Sequence, residues 1–111
     1  MITTTTSSVE GKKIVKYLGI VTGEAAISSK MFDDLIRTLK GIVGGDSQRF
    51  EQNLSRAKSI AIRHMRENAE QLGANAVVGV DLDYAVLGTS ETVLMVIANG
   101  TAVIIAEEDS K

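Results

Sequence analysis

Leu72-Gly73-Ala74-Asn75-Ala76-Val77-Val78-Gly79-Val80-Asp81-Leu82-Asp83-Tyr84 is the stretch on which the fold turns. Before it, apolar residues recur at helical spacing. After Ala76 they alternate, with Ala76, Val78, Val80, Leu82, Tyr84 and Val86 on one face and Val77, Gly79, Asp81, Asp83 and Ala85 on the other. Gly73 stands where a glycine closes a helix, and Ala74-Asn75 is a two-residue connection into the strand.

Upstream, Phe50, Leu54, Ala57, Ala61, Met65 and Leu72 define one side of a long helix of about seven turns, capped by Asp46 or Ser47. Its other side, from Glu51 and Arg56 to Arg63, Glu67 and Glu70, mixes both charge signs as a solvated surface does. Phe32, Leu35, Ile36, Leu39 and Val43 predict a shorter helix, opened by Ser28 or Ser29 and closed by Gly41, Gly44 and Gly45. Further upstream, Ile2 to Thr6 reads as a brief strand, Glu10 to Lys13 as a turn, and Ile14 to Thr22 as a strand with Gly19 at a bulge.

Downstream, Leu87 to Glu91 is a turn, and a hairpin centred on it pairs residues whose numbers sum to about 179. Tyr84 then faces Met95, Leu82 faces Ile97, and Gly79 faces Gly100. Asn99-Gly100 is also a strong signal for a tight hairpin of its own. One long strand with a bulge is the preferred reading, because it lets Ala76 and Val103 end together.

Two consecutive helices, one short and one long, thus cover one face of a curved antiparallel sheet, giving an α+β domain over residues 1–106 with an acidic tail at 107–111. The uncovered face would present Leu94, Val96 and Ala98 beside the largely apolar strand at Ile14 to Thr22. A patch of that kind marks an interface, and a closed homo-oligomer is its simplest cover.

Composition narrows the function classes. The chain has 111 residues, 44% hydrophobic and 23% charged, with net charge -2. This describes one soluble domain able to bury about 65% of its unfolded surface. Basic and acidic residues are interleaved, so no stripe awaits a nucleic acid. No run approaches the ~20 apolar residues of a membrane span, and Met1-Ile2 followed by four threonines is unlike a signal peptide. With no cysteine, the chain has neither disulfides nor thiolate ligands, and the cytoplasm is the expected compartment.

The motifs Gly23-Glu24-Ala25, Gly44-Gly45-x-Ser47-x-x-Phe50-Glu51, Gly73 to Tyr84, and Met95-Val96 with Gly100-Thr101-Ala102-Val103 together resemble the YbjQ family of small bacterial and archaeal proteins. The resemblance implies a dodecin-like fold and a ring of five subunits whose sheets form a central barrel. It also implies heavy-metal binding, the label that family carries. The chain departs from the family pattern at Asp46, where an arginine is common, and at Ser28-Ser29-Lys30 and Phe50.

Soft metals prefer thiolates and imidazoles, and the chain offers one histidine, His64. The better cation ligands are carboxylates. Asp81 and Asp83 share a strand face about 6.6 Å apart, and Glu24 of a neighbouring subunit is a further candidate. In the hairpin register above, their cross-strand partners Ala98 and Val96 supply no oxygen. The glycine-rich Gly41 to Gly45 is a weaker anion cradle, with Asp46 opposing it. No nucleophile, base and acid assemble into a catalytic set, so catalysis is the weaker reading and no cofactor is indicated. Two readings remain. One is a homo-oligomeric protein binding a cation or small ligand at subunit interfaces or in the central channel. The other is a structural oligomer that recognises a protein.

Overall fold

The computed structural model describes residues 1–27, 46–88 and 93–108. Four strands, β1 (Ile2–Thr3), β2 (Lys12–Ile27), β3 (Ala76–Leu87) and β4 (Val93–Glu107), form one sheet in the order β1-β3-β4-β2, and one helix, α1 (Asp46–Gln71), packs against it. The shorter helix expected between Ser28 and Gly45 lies outside the described residues. Strand β4 runs unbroken through Asn99-Gly100, so no second hairpin forms there and the long-strand reading holds, but the bulge expected at Asn99-Gly100 falls on β3 instead, at Gly79-Val80.

The sheet is mixed rather than wholly antiparallel. β1 runs parallel to β3, with Ile2 opposite Ala76 and Thr3 opposite Val77. The chain reaches β2, at the other edge, by passing beneath the sheet through Thr4 to Gly11. Val9 on this passage packs with Ile14 against Ala76, Val78, Val103 and Ile105, a small second core on the face away from the helix. The passage ends in the expected turn, with the Lys12 amide donating to the Val9 carbonyl at 3.1 Å and Gly11 at φ 79°.

The main core lies on the other face. Ala57, Ala61, Met65 and Ala69 of α1 meet Val21 and Ile27 of β2, Val77 of β3, and Val96, Ala98 and Ala102 of β4. Small residues on both sides bring helix and sheet close. At Gly23 a β-carbon would overlap the Ala61 carbonyl oxygen and the Met65 amide nitrogen, helix backbone that no rotamer change can move. The helix ends as expected at Gly73, in the left-handed region at φ 89°. Gly73 donates to the Glu70 carbonyl at 2.9 Å and Ala74 to that of Ala69 at 3.1 Å, the paired bonds of a Schellman cap. Leu72, expected on the apolar stripe, falls within this cap and is half exposed.

Register is where sequence and structure part. Ala76 does pair with Val103, as expected, and the pairing continues to Val78 with Thr101. Asp81 then pairs with Asn99, so β3 carries two residues, Gly79 and Val80, against the single Gly100 of β4. Beyond this bulge every partner has moved by one: Leu82 faces Ala98 and Tyr84 faces Val96. A one-residue slip exchanges the faces of a strand. Leu94, Val96 and Ala98, read from sequence as an oligomer interface, therefore lie on the helix side, and Val96 and Ala98 are fully buried in the chain's own core. Below the bulge the exchange works on β3 instead. Val77 goes under the helix, while Ala76 and Val78, expected there, join the core around Val9.

Gly23→Ala should lower stability by about 3 kcal/mol or prevent folding, since backbone must separate from backbone. Gly79→Ala, where a methyl meets nothing within 4 Å and only the positive φ of 63° is strained, should cost about 1 kcal/mol. Denaturant unfolding of the two variants checks the ranking.

Candidate functional site

Above the bulge, the face away from the helix is covered by no described element. β4 runs down its middle, flanked by β2 and β3, so side chains fall into rows. Asn99 sits between Thr22 and Asp81, Ile97 between Glu24 and Asp83, and Met95 between Ala26 and Ala85. Polar side chains thus gather in the first two rows, and apolar ones continue beside them.

From the row at Asn99, side-chain bonds reach both neighbouring strands, the one to β3 crossing to Asp83 of the next row. The Thr22 hydroxyl donates to Asn99 Oδ1 at 2.9 Å, and Asn99 Nδ2 reaches Asp83 Oδ2 at 3.5 Å, a long contact. The amide is thereby oriented with its donor toward the carboxylates. Asp81 and Asp83 share this face, as their spacing predicts. A hydrogen bond to the Asp83 side chain holds the Asp81 carboxyl above its ordinary range, with the nearby Asp83 charge and some desolvation adding to the effect. Two carboxyls so placed resist ionising together, and a cation between them would remove that resistance.

Glu24 lies on the same face, but two strand spacings, roughly 9.6 Å, separate its position from that of Asp83 within one chain. The structure therefore joins Asp81 to Asp83 and leaves Glu24 apart. It corrects their cross-strand partners from Ala98 and Val96 to Asn99 and Ile97. Asn99 and Thr22 are the site residues that sequence reasoning missed. The signal was the Asn99-Gly100 pair itself, whose glycine marks the bulge and whose asparagine becomes a site residue because of it.

His64 has a different task. Its Nδ1 accepts the Glu24 backbone N–H at 3.2 Å, while Asn68 Nδ2 donates to the Thr22 carbonyl at 2.8 Å. Two helix side chains thereby satisfy backbone groups along the outer edge of β2, which otherwise offer themselves to a passing strand. No three His, Asp or Glu side chains converge as a metal cage among the described residues. The Gly41 to Gly45 cradle lies outside them.

The structure therefore defines a small α+β domain with an acidic, amide-braced row on a sheet face that no described element covers. The chain belongs to the YbjQ family: the family profile described as "Putative heavy-metal-binding" matches residues 1–106. The crystal structure of a protein of unknown function from Pediococcus pentosaceus, of the DUF74 family, superposes with a TM-score of 0.64. That match covers 96% of this chain and 98% of the other at 16% identity, a likeness of fold. No described helix is long and apolar enough to cross a membrane.

The raised Asp81 carboxyl fixes a pH dependence. A carboxyl held above its unfolded value penalises the folded state once pH rises past that value, and the penalty vanishes in acid. Asp81→Asn should therefore raise the thermal midpoint relative to wild type at pH 7, with the difference gone near pH 3; differential scanning calorimetry at the two pH values measures it.

Proposed function

We propose that the protein is a homo-oligomeric binding protein that holds a hard cation between Asp81 and Asp83 where subunits meet. The observation that carries this reading is the bonded row Thr22-Asn99-Asp83, with Asp81 beside it, set among apolar residues on a sheet face that no described element covers. Carboxylate oxygens suit calcium, magnesium or manganese better than thiophilic metals. Two carboxylates fill only part of a coordination shell, the Asn99 amide bracing Asp83 through its N–H rather than ligating, and in this reading a second copy brings the remaining oxygens, with its Glu24 the nearest candidate by position.

The shape supports assembly. A compact chain of this length has a radius of gyration of roughly 13 Å, whereas this one measures 17.6 Å with extents of 61 × 27 × 16 Å. Its accessible surface is 7209 Å², against roughly 5,900 Å² for a compact monomer of the same mass. The difference is of the order that protein interfaces bury. Exposed Tyr17, Ile20 and Leu87 show where part of it lies. We infer a ring, with five subunits around a barrel of sheets as family membership suggests.

Native mass spectrometry of the full chain, with and without manganese, tests both halves of the reading. The expected result is a pentamer mass that gains metal stoichiometrically and loses this gain in Asp81→Asn/Asp83→Asn. A monomer would overturn the assembly. A pentamer indifferent to metal would overturn the cation site and favour a scaffold that recognises a protein.

A further inference from the structure

Where β1 ends, the edge of β3 opens into a cleft of about 310 Å³ that adjoins the row at Asn99 through Asp81. The last bonds that β1 and its continuation make to β3 run from the Gly79 amide to the Thr6 carbonyl at 2.8 Å and from the Val80 amide to the Thr4 carbonyl at 3.0 Å. Past Val80 this pairing stops. The cleft's apolar wall is Ile62 of α1 with Val80 and Leu82 of β3, and its polar rim is Thr3 to Thr5 with Asp81.

The chemistry of the rim is one-sided. Asp81 supplies a carboxylate, the threonines supply hydroxyl and carbonyl oxygens, and none of these lining residues is basic. The Thr3 hydroxyl is buried behind the rim and makes no hydrogen bond among the described residues. An ammonium group has three donors and no acceptor, the complement of such a rim, and the volume lies at the small end of ligand sites. The bulge is again responsible: its extra residue puts Val80 into the wall and brings Asp81 to the rim.

We propose that this cleft binds a primary amine with a small apolar body, its ammonium on Asp81 beside Thr4 and Thr5, its body against Ile62, Val80 and Leu82. This site shares Asp81 with the cation reading but otherwise uses different residues. Asp83 does not line the cleft, so the two readings can fail separately.

The test is titration of the full-length ¹⁵N-labelled chain with phenethylamine, compared with 2-phenylethanol and 3-phenylpropionate, which carry similar bodies with neutral and anionic heads. The amine should give saturable shifts at Thr3 to Thr5 and Val80 to Leu82, with the alcohol at least tenfold weaker and the acid without effect. Asp81→Asn should weaken amine binding tenfold or more while unfolding stays cooperative. Asp83→Asn should change amine binding less than threefold while abolishing any manganese uptake, and Ile62→Phe, which fills the cleft, should block the amine. Equal binding of amine and alcohol, shifts confined to other residues, or unchanged affinity in Asp81→Asn would overturn the proposal.

Discussion

Opposite Gly100, strand β3 carries two residues, Gly79 and Val80, where β4 carries one. Gly79 adopts a positive φ of 63° that most side chains resist. A β-carbon on Gly100 would lie 2.5 Å from Val77 Cγ1 and 3.3 Å from Val80 Cγ2. Gly79 is thus favoured for its conformation and Gly100 for the space it leaves. Because side chains alternate along a strand, this single extra residue decides which half of β4 faces the helix. It buries Val96 and Ala98 and turns Asn99 toward Asp81 and Asp83.

The helix depends on the same arrangement. It can rest close to the sheet because Gly23, Ala98 and Ala102 present almost nothing to it and Ala57, Ala61 and Ala69 return the favour. Close approach also lets His64 and Asn68 reach the outer edge of β2 and bond its backbone. Packing on one side and edge protection on the other thus follow from small residues. Among the described residues nothing covers the opposite sheet face above the Val9 passage, where the polar row lies.

Much of this was legible in the sequence. Period-two alternation located β3, helical spacing located α1, Gly73 located the helix end, and the common terminus of Ala76 and Val103 showed that β4 is one strand. The position of the bulge was not legible. A bulge built on glycine leaves no gap in the apolar pattern, and counting outward from a turn at Leu87 to Glu91 cannot resolve one residue in register. That single residue misplaced Leu94, Val96 and Ala98 and hid Asn99 and Thr22 from the site. The parallel entry of β1 was equally hidden, since Val9 is one apolar residue in a polar stretch and its partners Ala76 and Val78 looked destined for the helix. Asp81 and Asp83 survived because their mutual spacing does not depend on register.

What the fold offers chemically is a pair of acidic side chains braced by an amide on an open face, and that pairing stands or falls with the bulge. Cross-strand Hα–Hα nuclear Overhauser contacts measure it most directly. The account predicts contacts that follow Val77 with Ala102 or Val78 with Thr101 below the bulge and, above it, Asp81 with Asn99, Leu82 with Ala98 or Asp83 with Ile97. Contacts joining Leu82 to Ile97 and Tyr84 to Met95 would mean an unbroken register, and would return Val96 and Ala98 to the open face.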